Sequence, residues 1–146
     1  TMGAILCMID GFNYVLSPKL LEHTFSRIKK CFLDKDGLLI FDISTRYKLE
    51  KVIGNNTFIH SDKDIFYSWR NRYLKEKNIS DMMLDFFVKN GKYYERFEER
   101  HVQKAYTEKE LVYMLKKAGF MQINTYNELT FDAPSEKSER IVFVCR

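Results

Sequence analysis

The sequence predicts an α/β fold, part of a Rossmann-like sheet with an inserted layer of antiparallel strands. Three observations carry that expectation. Two apolar runs, residues 4–9 and 38–41, flank an amphipathic helical pattern, as a right-handed parallel crossover requires. Between residues 57 and 105 the texture becomes mixed and partly alternating, and a second helical pattern followed by two further strand-like runs closes the chain.

Ala4-Ile5-Leu6-Cys7-Met8-Ile9 is apolar throughout, which predicts a strand covered on both faces. Asp10-Gly11-Phe12-Asn13 ends it with turn-forming residues. Ser17 is placed as an N-cap with Pro18 at the first helical position, and Leu20, Leu21, Phe25, Ile28 and Phe32 follow at helical spacing. Asp36-Gly37 reads as a tight turn before the second run, Leu38-Leu39-Ile40-Phe41, which stops at Asp42. A short helix is expected around residues 47–53.

Strands are then expected at 65–73, 81–89 and 93–102, with 57–60 as a further edge strand. Met82, Leu84, Phe86 and Val88 alternate against Met83, Asp85 and Phe87, so one face is apolar and the other amphipathic. Asn90-Gly91 stands where a type I′ hairpin turn is wanted. The reading is one partial domain over residues 1–146, with 57–105 as its inserted antiparallel region. Thr107-Glu108-Lys109-Glu110 is a capping box, Leu111, Met114, Leu115 and Ala118 form a buried stripe, and Gly119 is a left-handed C-cap. Residues 120–126 and 141–145 complete the sheet, the last strand antiparallel.

Composition narrows the function classes. Apolar residues at 45% and aromatics at 15% are too abundant for a disordered segment. The net charge of +4 comes from 24 basic and 20 acidic groups spread along the chain, so nucleic acid is not an expected partner. The basic clusters Arg27, Lys29, Lys30 and Lys116, Lys117 complement predicted helix C-termini instead. Cys7, Cys31 and Cys145 are too few and too scattered for a disulfide framework or a cysteine zinc site, and His23, His60 and His101 show no ligand spacing, so no metal is expected. No run reaches transmembrane length and the opening apolar run is too short for a signal peptide; the expected setting is the cytoplasm, without a membrane partner.

The six glycines, at 3, 11, 37, 54, 91 and 119, form neither G-x-G-x-x-G nor a P-loop. Candidate chemistry is therefore positional. Asp10, Asn13 and Tyr14 follow the first parallel strand, and Asp42, Ser44, Thr45 and Arg46 follow the second, where open sheets bind ligands; capping roles compete for Asp10, Asp42 and Ser44, and a surface or salt-bridge role for Arg46. Tyr67, Trp69, Tyr73, Arg96, Glu98, Arg100 and His101 mark a second surface, on which cross-strand pairing is the competing role.

The landmarks Ala4 to Tyr14, Asp36-Gly37-Leu38-Leu39-Ile40-Phe41-Asp42-Ile43, Tyr106-Thr107-Glu108-Lys109-Glu110-Leu111 and Lys117-Ala118-Gly119-Phe120 resemble, in order and spacing, class I S-adenosylmethionine-dependent methyltransferases. Tyr47-Lys48-Leu49-Glu50, Gly54-Asn55-Asn56 and Arg96-Phe97-Glu98-Glu99 are similar to a bacterial small-molecule branch. The resemblance implies that the chain holds family strands four to seven, the seventh antiparallel between the fifth and sixth, and lacks the N-terminal glycine-rich cofactor motif. It implies S-adenosylmethionine as cofactor of the complete enzyme, bordered here by Met8, Ile9 and Asp10. It further implies a small-molecule substrate near Asn13, Tyr14, Arg46, Tyr67, Trp69 and Arg100, with Asp10 and Tyr106 as candidate bases. The expected function is the substrate-side portion of a methyltransferase, incomplete as an isolated catalyst; a noncatalytic ligand-binding or protein-interaction domain is the alternative. The apolar edge Ile5 to Ile9 is expected to recruit a partner, as a homodimer or through a complementing chain.

Overall fold

A computed structural model describes residues 1–146. Two four-stranded sheets divide the molecule. The first has the order β1-β2-β8-β7, from β1 (Met2–Cys7), β2 (Leu33–Ser44), β7 (Ile123–Asn127) and β8 (Arg140–Cys145). β1 and β2 are parallel, while β8 runs antiparallel between β2 and β7. The second sheet is a meander of β3 (Thr57–Ser61), β4 (Ile65–Leu74), β5 (Ile79–Asn90) and β6 (Tyr93–Lys104), antiparallel throughout. This is the expected Rossmann-like sheet with an antiparallel layer beside it.

One face of the first sheet carries the main core. Leu39, Phe41 and Ile43 of β2 and Ile141, Phe143 and Cys145 of β8 are buried with Leu21 and Phe25 of α1 (Pro18–Arg27) and Leu111, Met114, Leu115 and Ala118 of α2 (Glu108–Ala118). Phe41 stacks on Phe143 at 4.7 Å, and Phe12 meets Phe25 and Phe41 edge-on at 5.1 and 5.0 Å. Both helices start where the sequence places caps: Ser17 accepts from the Leu20 amide, and Thr107 and Glu110 cap each other reciprocally. Gly119 closes α2 at φ 103°, a conformation that disfavours any residue with a Cβ.

Several boundaries differ from expectation. β1 stops at Cys7, so Met8 and Ile9 lie beyond it. Only one face of that strand is covered: Leu6, on the other face, is 64% exposed. Asp36-Gly37 is not a turn ahead of β2. The pairing jumps from Met2↔Leu33 to Ala4↔Leu38, so these residues sit in a bulge within the strand, with the Gly37 backbone packed on the Met2 carbonyl. β7 begins at Ile123 because Phe120 is buried under the end of α2. In the β5–β6 hairpin Asn90 still pairs with Tyr93, leaving Gly91-Lys92 as the loop. Gly91 alone has positive φ there, 63°, the type II′ pattern rather than I′. No helix is long and apolar enough to cross a membrane.

Candidate functional site

Past Cys7 the chain turns through Ile9 at φ 61° and Asp10 at φ 49°, two consecutive left-handed residues without a glycine. For β-branched Ile9 this conformation costs on the order of 1–2 kcal/mol, and polar contacts around Asp10 hold the turn. The Asp10 amide donates to Asp42 Oδ1 at 2.9 Å, Gln103 Nε2 donates to Asp10 Oδ2 at 2.5 Å, and an Arg140 guanidinium nitrogen lies 2.8 Å from Asp10 Oδ1. Arg140 also pairs with Asp42 and, at 3.1 Å, with Glu128, its side chain only 13% exposed. Burial pulls the Arg140 pKa down, but the hydrogen bonds and charges of Asp10 and Asp42 outweigh it and leave it raised. The guanidinium therefore stays charged and ties the start of β8 to the carboxyl ends of β1 and β2.

Above this cluster opens a cavity of about 510 Å³. Asp10, Ser44 and Arg140 line its polar side, Lys48, Leu49 and Ile53 come from the short helical segment after β2, and Tyr67, Trp69, Met82, Leu84 and Phe86 supply an apolar wall from the second sheet. Tyr14, His101 and Gln103 complete the rim. The wall is apolar because cross-strand register puts like beside like: Tyr67↔Phe86↔Phe97 and Trp69↔Leu84 share one face. Three atoms of β4 and β5, Trp69 Nε1, Asn71 Oδ1 and Ser80 Oγ, are buried without a protein partner. On the rim, Tyr14 Oη lies 2.8 Å from His101 Nδ1, and His101 Nε2 lies 3.2 Å from Glu99 Oε2.

Of the residues singled out in the sequence, Asp10, Tyr14, Ser44, Tyr67, Trp69 and His101 meet at this cavity. Met8 and Ile9 are exposed beside it, 46% and 79%, outside its lining. Asn13 is fully buried and acts as a brace: its amide donates to the Ser44 and Lys104 carbonyls and accepts from the Ser44 amide. Arg46 pairs with Glu50 and faces a separate hollow. Arg100 makes a two-pronged pair with Asp81 on the opposite face of the second sheet, where Arg70 and Arg96 share Asp85. Tyr106 is buried and donates to the Val15 carbonyl, outside the cavity lining; burial, then the charge of Glu110, pushes its pKa up to about 12. No group of three or more His, Cys, Asp or Glu side chains is arranged to hold a metal ion.

Gln103, Lys48 and Arg140 are functional-site residues that sequence reasoning missed. A signal for Arg140 was present. An antiparallel last strand must begin beside the end of β2, and Ser44↔Arg140 is the pair that results.

No family model matches the chain. A candidate methyltransferase of Geobacillus sp. (strain WCH70) is 37% identical over the whole chain, and a second, YqeM of Bacillus subtilis (strain 168), is 31% identical over 96% of it. Among solved structures, an S-adenosylmethionine-dependent methyltransferase from Clostridium acetobutylicum superposes on 99% of the chain with a TM-score of 0.89 and 31% identity. CcbJ methyltransferase of Streptomyces caelestis shares the fold at a TM-score of 0.83 and 10% identity. The chain spans 59% and 56% of the two sequence relatives and 57% of the Clostridium protein.

Proposed function

From the class I S-adenosylmethionine-dependent methyltransferase-like fold of this chain, we propose that it forms the substrate-side portion of an enzyme that methylates a small molecule. The observation that carries this reading is the cavity itself, an apolar pocket set at the carboxyl ends of β1 and β2 and roofed by the second sheet. S-adenosylmethionine, when bound, supplies an electrophilic methyl group on a positively charged sulfur. The residues present fit its methionine side: Met8 and Ile9 offer exposed apolar contacts, and the Asp10 carboxylate, fixed by Gln103 and Arg140, lines the cavity beside them. Tyr67, Trp69 and Leu84 exclude water and orient the acceptor, which is where most of the rate enhancement of a displacement arises. Asn13 serves this site by holding the end of β2 to the end of β6, and Arg46 and Arg100 stand outside it.

In this reading residues 57–105 are an insertion within one partial domain, and a second copy or a complementing chain covers β1. Support comes from the open edge and face of that strand, with Met2 56% and Leu6 64% exposed. Three free thiols, Cys7, Cys31 and Cys145, support a cytoplasmic setting.

Calorimetry with S-adenosylmethionine tests the division, with a longer polypeptide binding and residues 1–146 alone binding weakly. Tight binding by these residues alone overturns it, and absence of binding by either form favours a noncatalytic interaction domain. Sedimentation tests the edge: a dimer is expected, and a clean monomer with fast amide exchange in β1 argues against it.

A further inference from the structure

We propose that Tyr14, His101 and Glu99 form a proton relay that removes the acceptor's proton at the cavity rim. The proposal takes its substrate from the methyl-transfer reading above, but its geometry stands independently of it. A hydroxyl acceptor, or an amine that enters as its ammonium form, must lose one proton to attack the methyl group, so for these acceptors the cavity needs a group to receive it. Asp10 is engaged by Gln103 and Arg140, Tyr106 is buried and donating to Val15, and Lys48 is a cation. What remains is the Tyr14 hydroxyl, which lines the cavity and lies 2.8 Å from His101 Nδ1.

The carboxylate of Glu99, 3.2 Å from Nε2, accepts only, so the Nε2 nitrogen carries the imidazole proton and Nδ1 is left as the acceptor. In the step, the acceptor's X–H proton passes to Tyr14 Oη while the hydroxyl proton of Tyr14 passes to His101 Nδ1. The X–H electron pair stays on X. The resulting imidazolium is held by Glu99 and releases its proton to water, since the His101 and Glu99 side chains are 34% and 51% exposed. Burial foremost, with the charges of Asp10 and Glu99, keeps the Tyr14 pKa above its ordinary value despite a hydrogen bond from Gln103, so the two transfers are concerted rather than passing through tyrosinate. The charged groups sharing the cavity with the imidazole are Asp10 from the turn after β1, Lys48 from the segment after β2 and Arg140 from β8. Its cross-strand neighbours on β5 and β4, Met82 and Asn71, carry no charge.

This assigns the acceptor class. A relay ending in imidazole suits an amine, phenol or alcohol that retains its proton at neutral pH. A carboxylic acid, already ionised, has no use for it.

Two measurements test the relay. Long-range proton–nitrogen NMR of the labelled chain between pH 5 and 9, with His101 assigned through His101→Gln, is expected to show the Nε2–H tautomer. In Glu99→Gln, whose side chain can donate as well as accept, the Nδ1–H tautomer should become populated. An Nδ1-protonated ring in the wild type, or an unchanged tautomer ratio in Glu99→Gln, overturns the proposal. The second measurement is tritium transfer from methyl-labelled S-adenosylmethionine to a panel of small amines, phenols and hydroxy acids, catalysed by a longer polypeptide that contains residues 1–146. Tyr14→Phe should lower kcat by about tenfold or more with little change in KM, and Glu99→Gln should lower kcat in the same direction. An undiminished kcat in Tyr14→Phe overturns it. Should that longer polypeptide methylate nothing in the panel, the methyl-transfer reading fails and the NMR result alone decides the relay.

Discussion

The two sheets are of equal strand number but are held together differently. The first shares a core of sixteen buried residues with two helices, whereas the second contributes to a cluster of only five and exposes most of β6. Its long strands are joined by complete hydrogen-bond ladders, and ion pairs decorate its outer face. The difference separates stability from function: one sheet supplies the burial that folds the chain, and the other spends its apolar face on a cavity wall.

Truncation in the two layers is the strongest way to break that contrast. Phe41→Ala, in the middle of the first core, should cost about 3–5 kcal/mol in urea unfolding. Phe86→Ala, half-buried over the cavity, should cost roughly 1–2 kcal/mol, because the open space already surrounds it. Equal losses would mean the second sheet is core as well. Arg140→Met should destabilise by roughly 3 kcal/mol, since it leaves Asp10 and Asp42 partly buried without their cation.

Alkaline unfolding sharpens the contrast next. Burial raises Cys145 from 9.0 to about 12, and burial with the charge of Glu110 raises Tyr106 from 10.0 to about 12. Both folded-state values lie above the unfolded ones, so the unfolded chain releases protons first. The stability these groups contribute is complete below about pH 9 and is lost as pH rises toward 12. Urea midpoints at pH 8, 10 and 11 should fall steadily, and Cys145→Ala should delay the onset toward pH 10. The smallest expected effect is on the outer face of the second sheet. Arg96→Ala should leave the urea midpoint almost unmoved, because its guanidinium is open to solvent, although Arg96 and Arg70 hold the Asp85 carboxyl below its usual range.

The elements of the first sheet were legible in the sequence because local signals agree there. The Ser17 cap, the Thr107–Glu110 box and the stripe Leu111, Met114, Leu115, Ala118 each fix a helix without knowledge of its neighbours. Continuous apolar runs marked β1 and β2 but misjudged their limits. The full apolarity of Ala4 to Ile9 does not distinguish a covered face from an open one, nor does it reveal a left-handed turn at Ile9. The cavity was half legible. Tyr67 and Trp69 lie on the alternating face that the pattern exposes, and Asp10 and Tyr14 follow a parallel strand. Gln103 and Arg140 reach Asp10 from 93 residues along the chain and from the start of β8, contacts that only the packing of the two sheets creates. Asn13 illustrates the converse: a polar residue at the expected mouth of a sheet became its most deeply buried brace.

Trp69 is the sole tryptophan of the chain, it lies in the cavity wall, and its ring leans on Phe58 with centroids 5.3 Å apart. The molecule thus carries a single tryptophan fluorophore, placed in the wall of the proposed acceptor cavity. Its emission wavelength and its quenching by iodide read the wetness of that wall directly, so occupants can be screened by light, without a label and before any product chemistry is known.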